Sequence, residues 1–317
     1  MAKARIAVLI SGRGSNMAAL VYAAKQPDCP FEVVLVAAND PDAAGLSFAA
    51  AEHITTFAQS HKAMKRAEFD AILDREIRKA KADYVVLAGY MRLLSPEFVA
   101  KWEGRMLNIH PSLLPKYKGL DTHERALEAG DTLAGCSVHL VTAELDEGPV
   151  LAQTEVAVLS GDTADSLAAR VLIAEHQTYS RALSAYVTRE RDPAWLLEQV
   201  RNRALALPSV EERTSHGSPG FSIIGSKFFA LFSQHHHGDE RIALLVKTSG
   251  PEEQAMLLEQ DDALYYLPPY YGPSGWIGIR LDGGQTDWDH IAEWLQKSWL
   301  ACAPAKLRKS FDIAAEF

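Results

Sequence analysis

The sequence predicts an α/β fold built on a doubly wound, mainly parallel sheet, followed by a second, smaller α+β domain. Three observations lead there. Short apolar runs alternate with stretches of helical periodicity through residues 1–187, the pattern of a parallel sheet covered by crossover helices. A glycine-rich turn, SGRGSN at 11–16, directly follows the first apolar run. The alternation then breaks at TRERDP, 188–193, and composition changes, because residues 201–317 hold 14 of the 27 aromatic side chains. A chain of 317 residues also exceeds the size at which one core usually stops growing. The boundaries read this way are a first domain over 1–190, a linker or linking helix over 191–202 and a second domain over 203–317.

Residues 5–10 (RIAVLI) form an unbroken aliphatic run, expected as a strand buried on both faces. A helix is expected over 16–25. Gly12 and Gly14 let the backbone come close to a ligand at the start of that helix, and Ser15 and Asn16 add side-chain donors, so the turn is a candidate anion cradle. No Gly-Lys-Ser/Thr follows, so it is not a Walker A loop. Met17 stands where the dinucleotide fingerprint needs its third glycine. A tight turn with no ligand stays open at this point.

A second strand is expected over 32–38 (EVVLVAA), then a helix ending near Glu52, a short strand over 54–57 and an amphipathic helix over 62–81. A further strand over 84–88 runs into GYMRLL, after which Ser95 and Pro96 suit the cap and first position of a helix. Residues 106–110 (MLNIH) are apolar apart from Asn108 and His110 and end at Pro111, which has no amide proton for a central strand. The reading is a buried strand that carries an amide and an imidazole to its carboxyl end, where sites of open α/β sheets lie. Asn suits a developing oxyanion and His a proton near neutral pH. A core asparagine and histidine bonded to neighbouring backbone is the alternative. A helix follows over 120–130 with Thr122 as its cap, then strands over 134–141 and 150–158. The acidic loop TAELDEGP between them, 142–149, reads by itself as solvated surface. A long helix over 163–187 carries Glu175 and His176.

The net charge of −9 argues against nucleic acid or an anionic membrane as main partner. Cys29, Cys136 and Cys302 are far apart, fit no metal spacing and suggest a reducing compartment. No run approaches a spanning helix and no targeting segment is recognised, so a cytoplasmic location is expected.

In the second domain a helix is expected over 194–207, strands over 221–224, 227–233, 242–247 and 276–281, and a closing helix over 288–300. His235–His237 beside Gly238-Asp239 reads as an exposed hairpin tip, because three consecutive histidines cannot face one ion from a strand. Tyr265, Tyr266, Tyr270, Tyr271 and Trp276 are expected to fill a small core in preference to lining a groove.

The first 190 residues resemble glycinamide ribonucleotide formyltransferases. The motifs are SGRGSN, LAGYMRLLSP, LNIHPSLLPKYKGLDTH, SVHLVTAELDEGPV and EHQTY, in order through the whole first domain. The resemblance implies transfer of a formyl group from 10-formyltetrahydrofolate to the amino group of glycinamide ribonucleotide, with no metal. It implies a catalytic trio of Asn108, His110 and Asp146, in which Asp146 raises the pKa of His110. It implies substrate binding by Gly14, Ser15, Asn16 and Glu175. It implies folate binding by Arg66, Met91, Arg92, Leu93, Leu94, Asn108, Val141 and Glu144. Arg13 and Asp121 receive no role. A homodimer is allowed. The alternatives are a 10-formyltetrahydrofolate hydrolase or a methionyl-tRNA formyltransferase on the same scaffold, or a non-enzymatic nucleotide- or DNA-binding fusion. Residues 203–317 resemble the MmcQ/YjbR-like family through ALALPSVEERTSHGSPGF and SKFFALF, which implies a frataxin-like α+β fold. Over 201–317 there are 11 Lys and Arg against 15 Asp and Glu, a balance of −4, so DNA binding is not expected there.

Overall fold

The computed structural model describes residues 3–62, 64–234, 241–283 and 286–308. The chain divides into two compact units, Met1–Val187 and Thr188–Phe317.

The first unit holds β1 (Ala4–Ile10), α1 (Ser15–Ala24), β2 (Phe31–Ala38), α2 (Gly45–Ala51), β3 (Thr56–Ala58), α3 (Arg66–Lys79), β4 (Tyr84–Leu87), α4 (Pro96–Lys101), β5 (Met106–His110), α5 (Thr122–Glu128), β6 (Leu133–Leu140), β7 (Val150–Ala157) and α6 (Ala164–Thr188). Its seven strands lie in the order β3-β2-β1-β4-β5-β6-β7. The first five run parallel; β6 and β7 pair antiparallel. The order reverses between β1 and β4, and such a reversal opens a crevice outside the carboxyl ends of the strands.

Alternation along β1 explains the two faces. Ile6, Val8 and Ile10 enter a core with Met17 and Leu20 of α1 and Leu167, Val171 and Tyr179 of α6. Ala7 and Leu9 face Phe69, Leu73 and Ile77 of α3, Phe98 of α4 and Trp102 just after it. Ser95 caps α4 as expected, its Oγ accepting from the Phe98 amide. At α5 the expectation fails. The capping position is Asp121, left-handed and without a side-chain bond, while Thr122 is already inside the helix and buried.

The second unit holds α7 (Pro193–Leu205), β8 (Val210–Ser215), β9 (Ser218–Ile223), β10 (Phe228–Gln234), β11 (Ile242–Lys247), α8 (Pro251–Gln260), β12 (Tyr265–Tyr266), β13 (Trp276–Arg280) and α9 (Trp288–Cys302). They form an antiparallel sheet ordered β12-β13-β11-β10-β9-β8. Ile242, Leu244 and Val246 face α7 and α9, which supply Leu196, Val200, Trp294 and Trp299. Ala243 and Leu245 face the other way, beneath Tyr266. Tyr265 and Tyr266 are therefore core residues, whereas Tyr270 is exposed. His235–His237 lie outside the described residues.

Candidate active site

Asn108 and His110 are two residues apart on β5, so their side chains share one face of the sheet. His110 is buried, and its Nδ1 lies 3.4 Å from Asp146 Oδ2. Asp146 arrives from the loop between β6 and β7. Two backbone features hold that loop. The Gly119 amide donates to Asp146 Oδ2 at 2.9 Å. Gly148 lets the returning chain press on β6, since a Cβ there would stand 1.8 Å from the Leu140 carbonyl oxygen. The three residues expected to act together are thus brought together.

Their electrostatics differ from the expectation in one respect. Burial pushes the His110 imidazole down. The Tyr117 carbonyl, 2.9 Å from Nε2, and the Asp146 carboxylate push it up. Burial prevails, so the pKa lies below the ordinary value and not above it. The carboxylate acts in the expected direction, and desolvation outweighs it. For Asp146, burial raises the pKa, but the neighbouring His139 imidazole, the bond from the Gly119 amide and the nearby His110 outweigh it. The carboxylate is held below its usual range.

The cradle after β1 closes around Gly14, whose left-handed backbone (φ 72°) starts α1 and favours glycine. Its residues, Ser11 to Asn16, line a cavity of about 250 Å³ together with Ala88, Gly89 and Met91. Asn16 is buried and donates from Nδ2 to Glu175 Oε2 at 2.6 Å. Its Oδ1 has no hydrogen-bond partner among the described residues. Burial raises the Glu175 pKa, with the Asn16 bond opposing. The predicted substrate residues Gly14, Ser15, Asn16 and Glu175 are therefore one cluster.

The loop after β4 forms the opposite wall. Met91 is 68% exposed and Leu93 55% exposed, both large apolar side chains left open to a ligand. Arg92 stacks on the ring of Phe69 at 5.0 Å. The two loops are tied together by Ser11, whose Oγ accepts from the Met91 amide at 2.8 Å and donates to Asn39 Oδ1 at 2.6 Å. Val141 continues the sheet by donating to the Met106 carbonyl. Arg66 and Glu144 are exposed, at the start of α3 and in the β6–β7 loop. Among the described residues, no group of three or more His, Cys, Asp or Glu is placed to hold a metal ion, and no helix is long and apolar enough to cross a membrane.

Residues 4–183, which contain all of these features, match the model of the formyl transferase family. The chain belongs to the formyl transferase family. The phosphoribosylglycinamide formyltransferase of Escherichia coli (strain K12) is 46% identical over 196 residues, 60% of this chain and 92% of that protein. The bovine (Bos taurus) trifunctional purine biosynthetic protein adenosine-3 is 47% identical over 182 residues, 57% of this chain. The match spans only 18% of that longer relative. The crystal structure of the phosphoribosylglycinamide formyltransferase from Brucella melitensis superposes with a TM-score of 0.56 at 51% identity, over 58% of this chain and 95% of the other. Residues 205–301 match the model of the YjbR family, so this formyl transferase carries a YjbR-type second unit.

Three residues of the formyl transferase site escape the sequence reading. His139 is 2% exposed, and its Nε2 lies 3.1 Å from Asn108 Nδ2 and 3.5 Å from Asp146 Oδ1. Ser11 and Gly148 hold the loops. Signals for two of them were present: Ser11 opens the glycine turn, and Gly148 precedes a proline in the acidic loop.

Proposed function

We propose that the first unit transfers the formyl group of 10-formyltetrahydrofolate to the amino group of glycinamide ribonucleotide, a step of purine biosynthesis. The observation that carries this reading is the convergence of Asn108, His110 and Asp146 on β5 and its neighbouring loop. The phosphate cradle at α1 lies at the same carboxyl end of the parallel strands. The ribonucleotide phosphate sits on the amides of Gly14, Ser15 and Asn16, where a helix start favours an anion. Glu175 meets the sugar or glycinamide end. The folate lies on the apolar wall of Met91 and Leu93, with Arg66, Arg92, Leu94, Val141 and Glu144 around it.

The amine attacks the formyl carbon, a C–N bond forms, and the formyl oxygen gains negative charge. Asn108 Nδ2 donates to that oxygen. His110 accepts the amine proton. The resulting imidazolium has an acceptor beside each nitrogen, Asp146 Oδ2 and the Tyr117 carbonyl. The old C–N bond then breaks, and His110 returns the proton to the departing folate nitrogen.

The test follows loss of 10-formyltetrahydrofolate by the full chain with and without glycinamide ribonucleotide. Loss that requires the ribonucleotide is expected. Loss independent of it would replace this reading with hydrolysis, and no loss under either condition would reject folate chemistry.

A further inference from the structure

His139 occupies the middle of the site with no part in the reaction drawn above. It stands directly across the β5–β6 pair from Asn108. At the step from Val138 to His139 the ladder to β7 slips in register, and such a slip re-aims the local side chains. His139 Nδ1 lies 2.8 Å from the Leu140 carbonyl. A carbonyl only accepts, so Nδ1 carries the proton, and Nε2 of the neutral ring offers a lone pair. Asn108 Nδ2 lies 3.1 Å from that lone pair, closer than Asp146 Oδ1 at 3.5 Å. This is the one side-chain hydrogen bond of Asn108 among the described residues.

A carboxamide turned by 180° keeps its shape and exchanges its donor for an acceptor. Facing a formyl oxygen that is gaining charge, the wrong end repels. We propose that His139 is a positioning residue for formyl transfer: its Nε2 takes one Nδ2–H of Asn108, which fixes the amide and keeps the second Nδ2–H for the oxyanion. The inference rests on the formyl-transfer reading of this site.

The test measures kcat and both KM values in the full chain for His139→Ala, His139→Gln, Asn108→Ala and the double variant His139→Ala/Asn108→Ala. Glutamine brings an amide oxygen close to the place of Nε2 and so replaces the acceptor. We expect His139→Ala to lower kcat by roughly 10–100-fold, the range typical when a partner that orients a site group is removed. Both KM values should stay within about twofold, as for an interaction made only in the transition state. His139→Gln should recover most of the loss. Because His139 acts through Asn108, the double variant should be no slower than Asn108→Ala. If His139→Ala does not fold, His139→Leu, which fills the volume without an acceptor, takes its place under the same expectations. An unchanged kcat, a glutamine variant as slow as the alanine one, or losses that multiply in the double variant would overturn the proposal. So would a slow variant whose KM values rise and whose thermal stability falls, which would mark His139 as packing alone. If the wild type shows no ribonucleotide-dependent turnover, the functional reading fails and this proposal with it. Wild-type turnover beside an unaffected His139→Ala rejects only the role of His139.

Discussion

At the scale of single residues, three imidazoles of the first unit set a pH response. Burial pushes His110, His123 and His176 below their ordinary value. Nδ1 of His123 and Nε2 of His176 have no hydrogen-bond partner among the described residues. Each group binds a proton more readily in the unfolded chain than in the folded one. The stability this gives is complete above the unfolded pKa, about 6.5, and is lost as pH falls through it. The first unit should unfold at lower urea concentration at pH 5 than at pH 7, and His176→Gln should narrow the difference. Equal midpoints at the two pH values would refute the linkage. Asp146 works in the same direction but over a lower range, because its folded pKa is depressed. Asn108 and His110 were legible in the sequence because two polar side chains interrupt an apolar strand that stops at a proline. His139 was not. In SVHLV a polar residue is ordinary strand alternation, and only the pairing of β6 with β5 shows that it faces Asn108.

At the scale of elements, the strand–helix alternation of the first unit was readable because its strands are buried on both faces and carry unbroken apolar runs. The elements missed in the second unit lack that signature. β8 (VEERTS) is an edge strand with a charged sequence, and β12 is two residues long. Helix α8 (PEEQAMLLEQ) buries only Gln254 and Leu257, too few for a visible stripe. Helix α3 begins at Arg66, four residues later than its periodicity suggests. The β6–β7 loop depends on one contact that no periodicity announces, the approach of Gly148 to Leu140. Gly148→Ala should destabilise the first unit by about 1–3 kcal/mol, the usual penalty for an added group in a filled space. It should also lower kcat by moving Asp146 away from His110. Urea titration and steady-state rates check both, and a variant with wild-type stability would show that the loop yields freely.

At the scale of the whole molecule, each unit has its own sheet and its own cores. All the site residues belong to the first. A chain ending at Thr188 should therefore fold, and should transfer formyl groups with a kcat within about twofold of the full chain, since units with separate cores can fold alone. Insolubility, or loss of turnover with folding intact, would show that the second unit contributes to the first. Helix α7 begins five residues beyond that end and packs into the second core, so the cut leaves each core whole. The hydroxyl of Ser11 has a consequence at this scale too. It joins a loop from one half of the sheet to a loop from the other, between the walls proposed for the ribonucleotide and the folate. Ordering either loop lowers the entropy still to be lost by its neighbour. Each substrate should therefore tighten the binding of the other, and by the same factor in both directions, as thermodynamic reciprocity requires. Ser11→Ala should bring that factor toward one in calorimetric titrations of each substrate with and without its companion. A single oxygen atom then makes two separate binding events into one cooperative equilibrium.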